Sequence, residues 1–259
     1  VNSDIGWSGL GISAALVAVA LGISAWQRLG VERTLLWASL RAAVQLLLVG
    51  VALHFVLAAN RSLGWSWLWV AGMVVFASLT VWLRARDVPG VLPLALFAFA
   101  ASLAVTLGVL LGLQVFPTDA RTLVPISGLI VGNSLAATVL VGRRVYEELR
   151  DKRPEVEARL ALGQSAHDAA KPYVRSGIRS ALIPQIETTK AVGIIFLPGA
   201  MTGLILAGAD PLDAVRVQIA VMYVVLASVA TTTSIVGLGV ARRLFTSDHR
   251  AVQLTRKAD

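Results

Sequence analysis

The sequence predicts an all-α polytopic membrane protein of about seven transmembrane helices, N-terminus outside and C-terminus inside, with one long cytoplasmic connection. Three observations predict it. Hydrophobic residues make up 56% of the 259 positions and charged residues only 15%, against about 25% charged in an ordinary soluble domain. The charges are clustered, which leaves bilayer-length stretches without any. No apolar run alternates with the two-residue period of a strand, and an odd number of long runs argues against an outer-membrane barrel.

A helix crosses the hydrocarbon core with roughly 20 apolar residues. The qualifying segments are Ile5–Trp26, Leu35–Ala58, Trp65–Leu83, Val91–Val115, Thr122–Val141, Ile186–Ala207 and Ala214–Ala241. The first has neither a basic stretch before it nor a small-residue cleavage pattern after it, so it reads as a span and not a signal peptide. Pro89 and Pro93 blur the start of the fourth. Lys and Arg set the orientation. With the N-terminus outside, Arg28, Arg33, Arg84, Arg86, the basic run from Arg143 to Arg179, and Arg242, Arg243 and the tail are cytoplasmic. The outer loops keep Arg61 and Arg121. Trp26, Trp37 and Trp82 then fall at the inner interface and Trp7 and Trp65 at the outer one. The net charge of +8 is explained by loops facing anionic headgroups and not by nucleic acid. The chain has no cysteine, which excludes disulfides and thiolate metal sites.

The polar connection covers about residues 142–185. Glu147, Glu148, Arg150, Asp151, Lys152 and Arg153 alternate in sign, as on a solvated helix continuing from the fifth span. Pro154 breaks it. A short helix restarts over Glu155–Leu162, with Ala158, Ala161 and Leu162 on one side, and Gly163 suits its end. A second amphipathic stretch, Asp168–Ile183, carries Lys171, Arg175 and Arg179 as a basic stripe. Pro184 ends it.

Polar groups within spans are costly and default to functional hypotheses. Arg41 and Gln45 share a helix face, with Gln45 near midplane. The alternatives are an interhelical hydrogen bond for Gln45 with a paired or snorkelling Arg41, or a substrate pathway. Asn133 is also near midplane, beside Gly128 and Gly132, whose spacing permits close helix packing. The segment around Gly193, Pro198, Gly199 and Gly203 can unwind, and such breaks recur at transport sites. Met201 and Thr202 follow it. Gln218, Met222 and Tyr223 face roughly one way. Thr231, Thr232, Thr233 and Ser234 can bond their own backbone. Glu187 and Lys190 pair with each other, or Glu187 reaches Arg41, as a gating or structural ion pair. His54 lies nearly opposite Gln45; His167 and His249 are cytoplasmic. No tight His/Asp/Glu cluster suggests a resident metal, so any metal site is unknown.

Two resemblances add to this. Glu157-Ala158-Arg159-Leu160-Ala161-Leu162-Gly163-Gln164-Ser165 looks like the cytoplasmic coupling motif of ABC-transporter permeases. Pro184 lies farther from Gly163 than in importers, which points away from a standard importer. Over nearly the whole chain, RAAVQLLLVG at 41–50, VPISGLIVGN at 124–133, LALGQS at 160–165, RSALIP at 179–184, LPGAMTG at 197–203 and AGADP at 207–211 resemble the FetB-type permeases. These are half-size ABC permeases linked to iron export and related to plant aluminium-tolerance proteins. Leu129 and Ala200 stand where methionine is common in relatives, so the metal does not carry over directly.

The resemblance implies one permease domain over 1–259 in the inner membrane. Its coupling-helix segment lies between helices 5 and 6, in a homodimer with two copies of a separate ATP-binding subunit. ATP and Mg would sit on that partner; no cofactor is bound by this chain. The sequence itself contains no G-x-x-x-x-G-K-[ST] phosphate loop. The implied pathway residues are Arg41, Gln45, Asn133, Met201, Thr202, Gln218 and Met222. The cargo would be iron or another metal, or else a nucleotide sugar or metal chelate. A stand-alone ion-coupled carrier needs an intramembrane carboxylate, for which only Glu187 is available, and an inverted repeat, for which the GLIVG and GLILAG echo is too short. A membrane enzyme lacks H-E-x-x-H, G-x-S-x-G and paired carboxylates.

Overall fold

The computed structural model describes residues 7–56 and 62–246. Ile5, Ala58, Arg61 and His249, named above, lie outside them. Among the described residues the chain is helical throughout: α1 (Trp7–Trp26), α2 (Glu32–Val56), α3 (Leu63–Arg84), α4 (Val91–Gly112), α5 (Ala120–Asp151), α6 (Arg153–Ala161), α7 (Ala166–Ala191), α8 (Gly199–Leu206) and α9 (Pro211–Arg243). α2, α3, α4, α5 and α9 are long and apolar enough to cross a membrane, and α1 contains a shorter apolar stretch, Ala14–Trp26. This is the make-up of a polytopic helical membrane protein.

The chain divides into two compact units, Val1–Ser62 and Leu63–Asp259. In the first, α1 and α2 are joined by a turn in which Arg28 and Gly30 adopt left-handed conformations, with φ of 52° and 69°. The Ser24 hydroxyl donates to Glu32 across that turn at 2.7 Å. α2 is apolar on most sides and exposed along most of its length, which suits a helix whose solvent is lipid.

In the second unit, α9 packs against α4, α5, α7 and α8, while α5 also packs against α3, α4 and α7. Side-chain caps start the long helices: Asp119 accepts from Thr122 N–H at 2.8 Å, and Asp210 accepts from Leu212 N–H at 2.9 Å, with Pro211 at the first helical position. Phe99, Leu123, Ile130, Val141, Val145, Val229, Val236 and Val240 are fully buried. At the level of Ser102 (α4), Ser134 (α5) and Ser228 (α9) the core becomes polar and narrow. All three serines are fully buried. Ser134 donates to the Ser228 hydroxyl at 3.2 Å and Ser102 reaches the Ser228 carbonyl at 3.4 Å. Thr106, Thr138, Thr232 and Thr233 return their hydroxyls to carbonyls of their own helices, so small polar groups line the seam without leaving a donor bare. The expected self-bonding of Thr231, Thr232 and Thr233 is thereby observed.

Several expectations are corrected. Pro184 does not end the amphipathic helix, because α7 runs through it to Ala191. The carbonyl that Pro184 leaves without a helical donor belongs to Ser180, an exposed residue, so the missing bond is not a buried one. The sixth predicted span, Ile186–Ala207, is not one helix. α7 stops at Ala191, residues 192–198 form a turn, and the eight-residue α8 follows. About 12 Å of helix cannot cross a bilayer alone. The close helix contacts are not at Gly128 and Gly132. A Cβ on Gly132 would meet nothing within 4 Å, and one on Gly128 only Met73 at 3.8 Å. The tight crossings lie at Gly177, where a Cβ would stand 3.2 Å from the Val145 backbone nitrogen, and at Gly237, beside Ile178 and Val141. Arg216, counted inside a span, pairs with Asp213 at 2.8 Å in the first turns of α9.

Gly177→Ala therefore overpacks the α5–α7 crossing and lowers stability by about 1–3 kcal/mol. Gly72→Ala, where a Cβ meets nothing within 4 Å, leaves stability unchanged or raised by about 0.5–1 kcal/mol. Thermal unfolding of the two purified variants in detergent separates these outcomes.

Candidate functional site

The segment between α5 and α7 is a short helical hairpin. α5 continues past the apolar region to Asp151, as the alternating charges predicted, and Arg143 and Arg144 reach Glu147 at 3.8 and 3.6 Å. The break falls at Lys152, and α6 begins with Pro154 in its first turn. α6 ends in a Schellman turn: Gly163 N–H donates to Leu160 C=O at 2.9 Å and Gln164 N–H to Arg159 C=O at 3.1 Å. Gly163 sits at φ 85°, a conformation that suits only glycine without strain. Ser165 then caps α7, accepting from Asp168 N–H at 3.2 Å while its hydroxyl donates to the Asp168 carboxylate at 2.7 Å. The motif thus stops one helix with a left-handed glycine and starts the next with a capping serine two residues later.

The hairpin is anchored on one side and bare on the other. Val156 is buried, Leu160 packs against the core, and Tyr173 of α7 donates to Glu155 at 2.9 Å. The Lys152 ammonium and then the Tyr173 hydroxyl hold the Glu155 carboxyl below its ordinary pKa, while burial and that same carboxylate push the Tyr173 hydroxyl up. Glu157, Ala158, Ala161, Leu162, Gly163 and Gln164 are exposed, and Leu162 is 83% exposed. Leu160 therefore belongs to the anchor and not to the exposed face.

The predicted pathway residues fall into two groups. Arg41 and Gln45 are exposed on α2, in the first unit, with His54 in its last turn. In the second unit Asn133 is exposed on α5 and donates to Leu129 C=O of its own helix at 2.8 Å, in place of an interhelical bond. Gln218 is 5% exposed and its side-chain oxygen has no hydrogen-bond partner. Met222, one turn on, is half-buried, while Tyr223 is 68% exposed and turns away from them. Val221 and Val224, beside these residues, face Ile126 and Leu129 across a small void. An unpartnered buried amide oxygen costs about 1–3 kcal/mol and is the kind of ligand a passing hard cation uses.

The predicted unwinding is observed. Val192 is extended, Gly193 has φ 82°, and Gly193 N–H donates to Phe196 C=O at 2.9 Å. Pro198 starts α8, where Met201 and Thr202 are half-buried and the Thr202 hydroxyl donates to Pro198 C=O at 3.1 Å. Glu187 and Lys190 pair with each other at 2.9 Å, both exposed. Among the described residues no three His, Cys, Asp or Glu side chains gather as a metal site. Sequence reasoning missed the hydroxyls of Ser66 and Ser127, both fully buried without a partner. The only signal for them was a lone serine in an apolar run.

Gly163→Val places a branched residue at a left-handed position. Amide exchange at residues 163 and 164 rises about tenfold through backbone strain alone. Tyr173→Phe loosens α6 at neutral pH. Because the folded Glu155 pKa is depressed, its contribution is present above the ordinary carboxylate range and lost as pH falls through and below it. The difference between Tyr173→Phe and the parent in α6 exchange therefore shrinks on acidification.

Residues 7–245 match the uncharacterised protein family UPF0014. The chain is 39% identical to the UPF0014 membrane protein STAR2 of Oryza sativa subsp. japonica, over 86% of this chain and 78% of that protein. It is 36% identical to the protein ALUMINUM SENSITIVE 3 of Arabidopsis thaliana, over 86% of this chain and 82% of that one. It is 30% identical to the probable iron export permease protein FetB of Escherichia coli strain K12, over 96% of both. No solved structure matches. A match across almost the whole helical chain, with the 157–165 hairpin and the broken 192–198 segment inside it, makes this protein a member of the UPF0014 family of membrane proteins.

Proposed function

We propose that the chain is the membrane subunit of an ABC exporter of iron or another metal, driven by a separate ATP-binding subunit. The observation that carries this reading is the α6–α7 hairpin. Its inner side is tied to the bundle by Val156, Leu160 and the Tyr173–Glu155 bond, and its outer side offers Ala158, Ala161 and an 83% exposed Leu162. Burying one leucine side chain in a partner groove contributes about 1.5–3 kcal/mol, and Glu157 supplies an acidic edge. On this reading the chain works as one permease domain, two copies with two ATPases. It crosses the cytoplasmic membrane seven times on this reading, the sixth crossing being made jointly by the end of α7, the turn at 192–198 and α8, with α6 on the inner face, and the partner alone holds ATP and Mg. Within the second unit, Asn133, Met201, Thr202, Gln218 and Met222 supply contacts of the route; in the first unit, Arg41 and Gln45 are the polar groups on α2 that would do so. Oxygen and thioether contacts of this kind are weak enough to release a metal. The probable iron export permease among the relatives supports metal as the cargo class. An ion-coupled carrier is disfavoured because Glu187, its one carboxylate candidate, is exposed and paired with Lys190.

Two outcomes test this. Ala161→Glu with Leu162→Glu, on the exposed face, abolishes co-purification with the co-expressed ATPase while leaving the thermal midpoint of the isolated chain unchanged; retained association removes the coupling role. Gln218→Leu relieves an unpartnered buried oxygen, so stability holds or rises by about 1 kcal/mol. Metal-stimulated ATPase activity of the reconstituted complex falls at least tenfold in the same variant. If Gln218→Leu, Gln45→Leu, Asn133→Ala and Met201→Ala all keep full stimulation, the route lies elsewhere.

A further inference from the structure

Below the bundle, the first turns of α7 and the last turns of α9 leave a groove of about 750 Å³. Its inner wall is apolar: Ala170, Val174 and Ala241 are buried, and Ile178, Leu238 and Phe245 complete it. Among the described residues its Lys and Arg groups come from both helices: Lys171 and Arg175 stand four residues apart on α7, one turn after His167, and Arg242 faces them from α9. Among the described residues no carboxylate lines the groove. Among the described residues Lys171, Arg175 and Arg242 enter no ion pair, whereas Arg143, Arg144, Arg150, Lys152, Arg153, Lys190 and Arg216 each do. Asp168, the acid next to His167, is committed to the Ser165 cap. Like charges one helical turn apart repel, and among the described residues no acid answers that repulsion.

We propose that this groove is a binding site for an anionic phospholipid. The phosphodiester lies among Lys171, Arg175 and Arg242, and an acyl chain runs along Ile178 and Leu238. Guanidinium and ammonium groups are the donors that hold phosphate oxygens. Leu238 is 41% exposed, so the apolar wall opens onto the outer surface of α9, where a chain would pass. A small hydrophilic anion would leave that wall unused. Juxtamembrane clusters of Lys and Arg attract anionic lipid in this way. Here the cluster is built into the packing of two helices, one of which begins at the Ser165 cap of the hairpin. The site is distinct from the exposed 157–164 face.

The test uses the purified full-length chain without any ATPase, so it succeeds or fails independently of the transport reading. Dioleoyl phosphatidylglycerol and dioleoyl phosphatidylcholine are titrated in detergent and bound lipid is counted by native mass spectrometry. Phosphatidylglycerol is retained selectively. Lys171→Gln, Arg175→Gln and Arg242→Gln each weaken it about fivefold, while Arg216→Gln, outside the groove, has no effect. Leu238→Asn, polar but uncharged, weakens the lipid but not inorganic phosphate. Equal retention of the two lipids, or undiminished selectivity in Arg175→Gln/Arg242→Gln, overturns the proposal. Should the double variant fail to fold, the parent chain decides: inorganic phosphate that displaces phosphatidylglycerol at equal concentration identifies a free-anion site and overturns the lipid.

Discussion

The second unit depends on how closely α4, α5 and α9 approach one another at Ser102, Ser134 and Ser228. Helices in lipid gain nothing from hydrophobic exclusion against each other and must associate through shape and hydrogen bonds. Serine satisfies both demands. It is small enough for backbones to close in, and its hydroxyl either crosses to the next helix, as from Ser134 to Ser228, or folds back onto a carbonyl. Valines flank this layer: Val229, Val236 and Val240 are fully buried on α9, and Val141 and Val145 on α5. Bulky side chains flanking a narrow polar waist fix the crossing of these three helices, and the other helices of the unit dock onto them.

That rigidity has a mechanical consequence. α5 is one helix of 32 residues, about 48 Å long, running from its Asp119 cap through the serine layer to the charged end. α7 crosses it where Gly177 meets Val145, and α6 is clasped between them through Val156 and Tyr173. A push on the α6 tip is therefore received by two helices that are locked to each other and to α9. Little of it can be absorbed locally, since Gly163 and Ser165 close the hairpin with four hydrogen bonds.

Against this stiffness stand the places where the fold leaves bonds unmade. Residues 192–198 have turned out of helix in an apolar stretch, and Gln218, Ser66 and Ser127 keep buried oxygens without partners. Each is a local cost that packing elsewhere offsets. On the transport reading proposed above, these free polar atoms are the ones a passing cargo would meet, and the helix already broken at Gly193 and Pro198 is where bending costs least.

Much of this was legible from residues alone. Apolar length placed α1, α2, α3, α4 and α9 to within a few positions, because a span needs about 20 residues and the charges avoid them, but it misplaced Ile186–Ala207, which is the end of α7, a turn and α8. The alternating acids and bases at 147–153 marked the extension of α5, Gly163 the left-handed stop of α6, and Glu187 with Lys190 their own ion pair. Three-residue spacing decides such local contacts, so sequence suffices for them. It did not suffice wherever the answer depended on which helix lay opposite. Pro184 continues a helix because its orphaned carbonyl belongs to an exposed residue. Gly128 and Gly132 look like a packing motif, yet a Cβ would meet only Met73 at ordinary contact distance at the first and nothing at the second, while Gly177 and Gly237, with no motif around them, make the close crossings. By contrast, Gln218 is buried and Tyr223 exposed, a parting that five residues of helix, about 140° of rotation, already impose. Periodicity tells which residues share a face; only the assembled bundle says what that face meets.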